Sequence, residues 1–202
     1  MDQEYWDERY SGHERMWSGA PNGALVAEVT ALPPGRALDL GCGEGADALW
    51  LAGHGWQVDA VDISQVALDR AIAHAATLDE STSDRVAWSR ADLTITSPAS
   101  GAYDLVSAQY FPLPRQPDHA ALRGLLAAVA PGGTLLVTGH DLSHRPPGHD
   151  HPFDPDSFYQ QREIAGLLDD AWTVLVDETR PRTTPAASDH THDTVLRARR
   201  RD

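Results

Sequence analysis

Short apolar runs alternate with helix-spaced stripes along most of this chain. Residues 37–40 form a nearly continuous apolar run ending in glycines, the pattern of a buried strand. Residues 45–54 then set Ala46, Leu49, Trp50 and Gly53 on one helical face. A second strand is expected over 58–63. Ser64 is placed to cap a helix whose stripe is Leu68, Ala71, Ile72 and Ala75. Strands are expected again at 85–89 and 103–108. Asp118 is placed to cap a helix striped by Leu122, Leu125, Leu126 and Val129. Pro131-Gly132-Gly133 reads as a turn, and 134–138 as a fifth strand.

This alternation predicts an α/β fold, a doubly wound and mostly parallel sheet with helices on both faces and right-handed crossovers. The rhythm breaks near the end. After a helix around 160–168, strand-like runs at 172–179 and 192–198 flank a gap holding Pro181, Thr183, Thr184 and Pro185. No helix fits there, so the two runs predict an antiparallel hairpin at one edge of a seven-stranded sheet. An aromatic segment with Tyr5, Trp6, Tyr10 and Trp17 precedes the first strand, and Asn22 is expected to cap a helix reaching about Ala31. The expected organisation is one domain over 1–202, with residues 1–31 as a cap segment on a core of 36–202. Trp6, Trp50, Trp56, Trp88 and Trp172 are read as packing residues.

Composition narrows the partner. The 202 residues carry 30 acids and 16 bases, a formal charge of −14, and every base is an arginine. Such a balance disfavours nucleic acid and anionic membranes, and the cluster Arg197, Arg199, Arg200 and Arg201 is too small to reverse it. No apolar run is long enough to span a bilayer, and the first residues lack the apolar stretch of a secretory leader. The one cysteine, Cys42, excludes an internal disulfide and fits a reducing, cytoplasmic setting. A small molecule is the expected partner.

The main chemical signal is Asp39-Leu40-Gly41-Cys42-Gly43-Glu44-Gly45. Alternate glycines let the backbone turn tightly and let a ligand lie on it. The same run satisfies the dinucleotide pattern G-x-G-x-x-G/A, so the glycines alone do not choose a cofactor. Charge favours one choice. Asp39 and Glu44 bracket the place of a pyrophosphate, and a like-charge contact near 4 Å costs about 4 kcal/mol at an intermediate dielectric. S-adenosylmethionine carries a sulfonium and an ammonium and has no phosphate. The second signal is Asp62, at the end of the second strand, where an acid can accept both ribose hydroxyls. Asp59 is expected to face the other side.

The run "ALDLGCGEGADALWLAGHGWQVDAVDIS" resembles the glycine motif and acidic loop of class I S-adenosylmethionine-dependent methyltransferases. "YDLVSAQY" and "APGGTLLVTGHD" resemble that family's fourth- and fifth-strand motifs, and the "YWDERY…MWSGAPN" opening is most similar to its small tellurite-resistance and thiopurine-methyltransferase-like members. The resemblance implies a Rossmann-like fold and S-adenosylmethionine as cofactor. It implies that Gly41, Cys42, Gly43 and Gly45 line the methionine part, with Asp39 near the amino group. Asp62 would take the ribose, Ile63 would pack on the adenine, and Asp92 with Leu93 would receive the adenine amino group. Ala108, Gln109 and Tyr110 would lie beside the sulfonium, with Trp17 and Arg15 covering the cofactor. Asp92 also reads as an ordinary acid at a strand-end turn.

Methyl transfer needs alignment and exclusion of water, and a base only for a protonated acceptor such as an alcohol or phenol. His140 and Asp141 follow the fifth strand and are the first candidates, with Tyr110 third. His144, His149 and His151 lie in one loop with Asp141, Asp150 and Asp154, but their spacing matches no strong metal motif, and no metal is expected. His190 and His192 are read the same way. The loop 141–157 is expected to act as a lid. Two other readings stand beside methyl transfer to a small molecule: a nicotinamide-dependent oxidoreductase, and a cofactor-binding module without catalysis.

Overall fold

The computed structural model describes residues 1–141, 154–183 and 191–202. His144, His149, Asp150, His151 and His190 lie outside these residues, as does most of the expected lid.

Seven strands form one sheet in the order β3-β2-β1-β4-β5-β7-β6. They are β1 (Arg36–Leu40), β2 (Gln57–Asp62), β3 (Val86–Arg90), β4 (Tyr103–Gln109), β5 (Val129–His140), β6 (Trp172–Pro181) and β7 (His192–Arg200). The first five run parallel; β7 is antiparallel to both β5 and β6. The expected hairpin is therefore present, with its second strand against the parallel sheet and β6 at the edge. The fold is the doubly wound α/β architecture expected from the alternation, and the Rossmann-like one that the resemblance implies. β1 lies mid-sheet beside β2 and β4, and its buried pattern explains the apolar run that marks it.

Helices α2 (Gly23–Val29), α3 (Ala46–Gly53) and α4 (Gln65–Ala75) contribute to one apolar layer, with Leu25, Leu51 and Leu68 almost fully buried. Helices α6 (Ala120–Ala128) and α7 (Gln161–Leu167) contribute to the other, with Leu122, Leu125 and Ile164. Burial of each such side chain contributes about 1.5–3 kcal/mol. The remaining helices are α1 (Gln3–Ser11) and the single turn α5 (Glu80–Ser83).

Three helix faces differ from expectation. In α3 the buried set is Asp47, Ala48, Leu49, Leu51 and Ala52, while Trp50 is only half-buried and Gly53 is exposed. The helix is turned because Asp47 points inward to Asn22. In α4 Ala67 takes the place expected for Ile72, which is 45% exposed. Ala71 lies against the glycine turn, where a Cβ on Gly45 would stand 2.9 Å from it. Val129 belongs to β5 and pairs with Tyr103, so α6 ends one residue before it. The cap of α6 is His119, in the left-handed region at φ 54°, while Asp118 accepts from the Ala120 N–H at 3.1 Å.

α1 docks on the start of α4. Asp7 accepts from the Ser64 hydroxyl at 2.6 Å and from the Val66 N–H at 3.2 Å, and Ser64 caps α4 by accepting from the Ala67 N–H. This carries the aromatic N-terminal segment over the carboxyl ends of β1 and β2.

Candidate functional site

The turn from β1 into α3 is built around Gly41, Gly43 and Gly45, all with positive φ. The Gly41 and Cys42 N–H groups both donate to the Val61 carbonyl, which ties the turn to β2. A Cβ on Gly41 would stand 2.7 Å from the Phe111 ring, and one on Gly43 2.8 Å from the Tyr10 hydroxyl oxygen. Glycine is required at both places by conformation and by close approach.

Under the turn lie three buried acids. Asp39 is 2% exposed, and among the described residues its Oδ2 has no hydrogen-bond partner. Burial first, then the charges of Asp47 and Asp62, push its carboxyl well above the ordinary range. Asp47 is held by Asn22, which donates both its backbone N–H and its side-chain amide, each at 2.7 Å. Asn22 does sit at the cap position of α2, but its side chain makes no capping bond there. Asp62 accepts from the Gly43 N–H and from the Ser64 N–H, each at 2.8 Å. Burial raises its carboxyl, against the pull of those N–H groups.

Glu44 departs from the expected charge pattern. Its carboxylate lies 2.9 Å from the Arg70 guanidinium and accepts from the Met16 and Trp17 N–H groups. It fastens the N-terminal segment and is compensated, so the like-charge argument against a pyrophosphate rests on Asp39 and its acidic neighbours alone. Trp17 is 48% exposed and donates its indole N–H to Tyr10, whose hydroxyl stands over Gly43. Arg15 lies against Gly19. Ile63, next to Asp62, is half-buried. Asp59 faces away from the turn, where it accepts from Arg36 and from the Tyr103 hydroxyl, both at 2.8 Å.

Asp92 accepts from the N–H and hydroxyl of Thr94, the turn-acid arrangement, while Leu93 is buried in the α6/α7 layer. Ala108 and Gln109 are buried at the end of β4, and Gln109 donates to Ser107. Tyr110 follows with φ 53°, its N–H donating to the Thr138 carbonyl.

Tyr110 gathers a second cluster. Its ring stacks on His140 at 4.5 Å, and the Arg182 guanidinium lies 4.8 Å from the ring centre. Burial, then the nearby Asp193 carboxylate, raises the Tyr110 phenol far above its usual value. Asp193 stands opposite His140 in the β5–β7 register and is 4% exposed. Asp141 is buried, and its N–H donates to the His192 carbonyl. His140, Tyr110 and Asp193 are thus brought together at the carboxyl ends of β4 and β5.

Sequence reading located the glycine turn, Asp39, Asp62, Tyr110 and His140. It missed Asp47, Arg70, Phe111, Arg182 and Asp193. Asp193 alternates with buried Val195 along β7, a period-two pattern that marks an inward acid once the strand is assigned.

Among the described residues no group of three metal-ligand side chains is placed to hold an ion, and no helix is long and apolar enough to cross a membrane.

Residues 37–133 match the family model described as a methyltransferase domain. The chain is similar to the 2-heptyl-1-hydroxyquinolin-4(1H)-one methyltransferase of Mycobacteroides abscessus, with 30% identity over 69% of this chain and 60% of that protein. It is also similar to ribosomal RNA small subunit methyltransferase C of Alcanivorax borkumensis, with 54% identity over 17% of this chain and 11% of that protein. The chain thus spans less than two thirds of either curated relative. Among solved structures, the N-methyltransferase NodS of Bradyrhizobium japonicum, in complex with S-adenosyl-L-homocysteine, matches all of both chains at 19% identity with a TM-score of 0.71.

Proposed function

We propose that this chain is an S-adenosylmethionine-dependent methyltransferase acting on a small molecule. One observation carries the reading: the unpartnered, buried Oδ2 of Asp39 beneath a turn of three left-handed glycines. A buried acceptor in an acidic cluster calls for a cationic donor, and an α-ammonium fits it. The methyltransferase-domain match over 37–133 supports the same reading.

In this proposal Gly41, Cys42, Gly43 and Gly45 hold the methionine portion, Asp39 its ammonium and Asp62 the ribose hydroxyls. Ile63, Asp92 and Leu93 surround the adenine, with Asp92 engaging it by the oxygen its turn leaves over. Ala108 and Gln109 stand beside the sulfonium, and Trp17 with Tyr10 excludes water from above. When bound, the cofactor would supply an activated methyl for in-line displacement, its sulfur keeping the electron pair, and a protonated acceptor would give up one proton.

The chain's own groups would orient the acceptor and receive that proton. His140 is the base in this reading. Asp141 follows it directly and therefore points the opposite way along an extended chain. Asp193, paired with His140 across β5 and β7, is the better orienting group. Tyr110 stays protonated, so it acts as a hydrogen-bond donor and a wall, not as a base.

A small-molecule acceptor is supported by the hydroxyquinolone methyltransferase relative and by the net charge of −14, which disfavours a polyanion. The tellurite-resistance and thiopurine-type likeness of the opening residues stays part of the proposal, as does a cytoplasmic setting.

The test is calorimetric titration with S-adenosylmethionine, S-adenosylhomocysteine and NAD, alongside Asp62→Ala. Micromolar binding of the first two, none of NAD, and loss in the variant are expected. Binding of NAD alone would move the reading to hydride transfer. Binding of S-adenosylmethionine without turnover on phenol, amine and thiol panels would make the chain a binding module.

A further inference from the structure

Between β4, β5, α6 and α7 lies a cavity of about 120 Å³. Leu122 and Leu125 from α6, Leu135 from β5 and Ile164 from α7 form its floor and sides. The lining contains no carboxylate or guanidinium among the described residues. A charged group seated on the floor of Leu122, Leu125, Leu135 and Ile164 would lose its hydration against apolar side chains.

The cavity's position links it to the site above. Phe111 forms one wall, and the same ring packs on Gly41 of the glycine turn. Tyr110 and His140 stand at one end. The opposite wall is made of two loop segments zipped together. The Tyr159 N–H donates to the Leu113 carbonyl and the Arg115 N–H to the Ser157 carbonyl, each at 2.9 Å. The space is therefore bounded by fixed backbone on one side and by the candidate catalytic cluster on the other.

We propose that this cavity is the acceptor subsite and that it takes one uncharged, apolar ring of the acceptor, with the reacting substituent toward Tyr110 and His140. The assignment rests on the methyltransferase reading. Size fits one ring: an apolar cavity of about 150 Å³ accommodates a benzene molecule, so about 120 Å³ holds one ring tightly. Chemistry sets the polarity: an uncharged ring gains by leaving water over the leucine floor, and a hydroxyl, amine or thiol on it meets polar partners at the Tyr110–His140 end, where Thr138 also stands. Phe111 is the specificity-determining residue between ring and cofactor turn.

The test uses 4-fluorophenol as probe on the full chain, with methyl-labelled Leu, Ile and Val followed by NMR. Saturable shifts are expected at the methyls of Leu122, Leu125, Leu135 and Ile164, and not at Leu25 and Leu51 on the opposite face of the sheet. Leu125→Phe should weaken probe binding at least tenfold. Leu126→Phe, at the half-buried rim, serves as the second variant should the first disturb folding. S-adenosylhomocysteine affinity is measured on the same wild-type sample. S-adenosylhomocysteine binding with no 4-fluorophenol shifts at the four cavity methyls overturns the subsite and leaves the methyltransferase reading standing. Shifts spread over both faces of the sheet also overturn the subsite. Cavity shifts in a chain that binds no S-adenosylhomocysteine support the ring site and overturn its role as an acceptor site.

Discussion

Arg70 donates to Glu44 at 2.9 Å, and the same guanidinium donates to the carbonyls of Tyr10 at 3.0 Å and His13 at 2.6 Å. One side chain from α4 thereby holds both the acid of the glycine turn and the backbone of the segment that crosses it. Tyr10 and Trp17 keep their places over Gly43 through this contact and through the two N–H groups that Glu44 accepts.

Glu44→Gln should loosen that segment without touching Asp62. Weakening charge-assisted bonds of this kind costs about 1–3 kcal/mol. S-adenosylhomocysteine affinity is expected to fall roughly tenfold. Tryptic cleavage at exposed Arg15 should quicken in the same variant. Unchanged cleavage and unchanged affinity would show that Glu44 does not fasten the segment.

Cofactor binding should strengthen as pH rises. The folded chain without ligand favours neutral Asp39, because burial and the charges of Asp47 and Asp62 hold its carboxyl well above the ordinary 3.8. The stability this contributes is fully present below that ordinary value. It is lost as pH climbs through the raised one. An ammonium ligand favours the ionised form, so binding releases a proton wherever Asp39 is still protonated. The thermal shift given by S-adenosylhomocysteine should therefore be larger at ~pH 8 than at ~pH 5. Asp39→Asn should flatten the dependence, and a variant that kept the same slope would assign it to another group.

Gly41→Ala tests the close approach of Phe111. The added methyl meets both a positive φ of 66° and the Phe111 ring. A loss of about 1–3 kcal/mol in urea unfolding is expected. Adding Phe111→Ala should remove the steric part and leave the conformational part. The double variant should then be more stable than the two single losses sum to. Strict additivity would mean that the ring does not touch the turn.

Tyr110→Phe removes the buried hydroxyl that stands near the 4% exposed Asp193 carboxylate, which then loses a polar neighbour. Unfolding free energy should drop by about 1–3 kcal/mol. Asp193→Asn, which retains an acceptor, should cost less. If His140 is the base, Asp193→Asn should also lower kcat more than it raises KM, because it disturbs orientation at the reacting end and leaves acceptor binding intact. Equal changes in both would return Asp193 to a structural role.

The strands were legible because central parallel strands are buried on both faces and read as continuous apolar runs. Helix faces were less legible. Ile72 sits at stripe spacing yet is exposed, while Ala67 and Ala71 are fully buried and Ala71 lies against the glycine turn at Gly45. Trp50 is displaced for a related reason: Asp47 turns inward to meet Asn22. Hydropathy ranks Ile and Trp as core residues and has no means of weighing a contact made by distant glycine or asparagine.

By itself the sequence determined the element order, the α/β class, the terminal hairpin and the placing of Asp39 and Asp62 around a glycine turn. All of these follow from local periodicity, from backbone freedom at glycine, or from spacing along two adjacent strands. Only the tertiary structure decided that Glu44 serves Arg70 and the N-terminal segment, that Asp193 lies opposite His140, and that Phe111 divides the glycine turn from a ring-sized cavity. Those relations join residues from separate elements, and they are fixed by how the sheet orders its strands and how each helix rotates to pack. No pattern within a single stretch of chain carries that information.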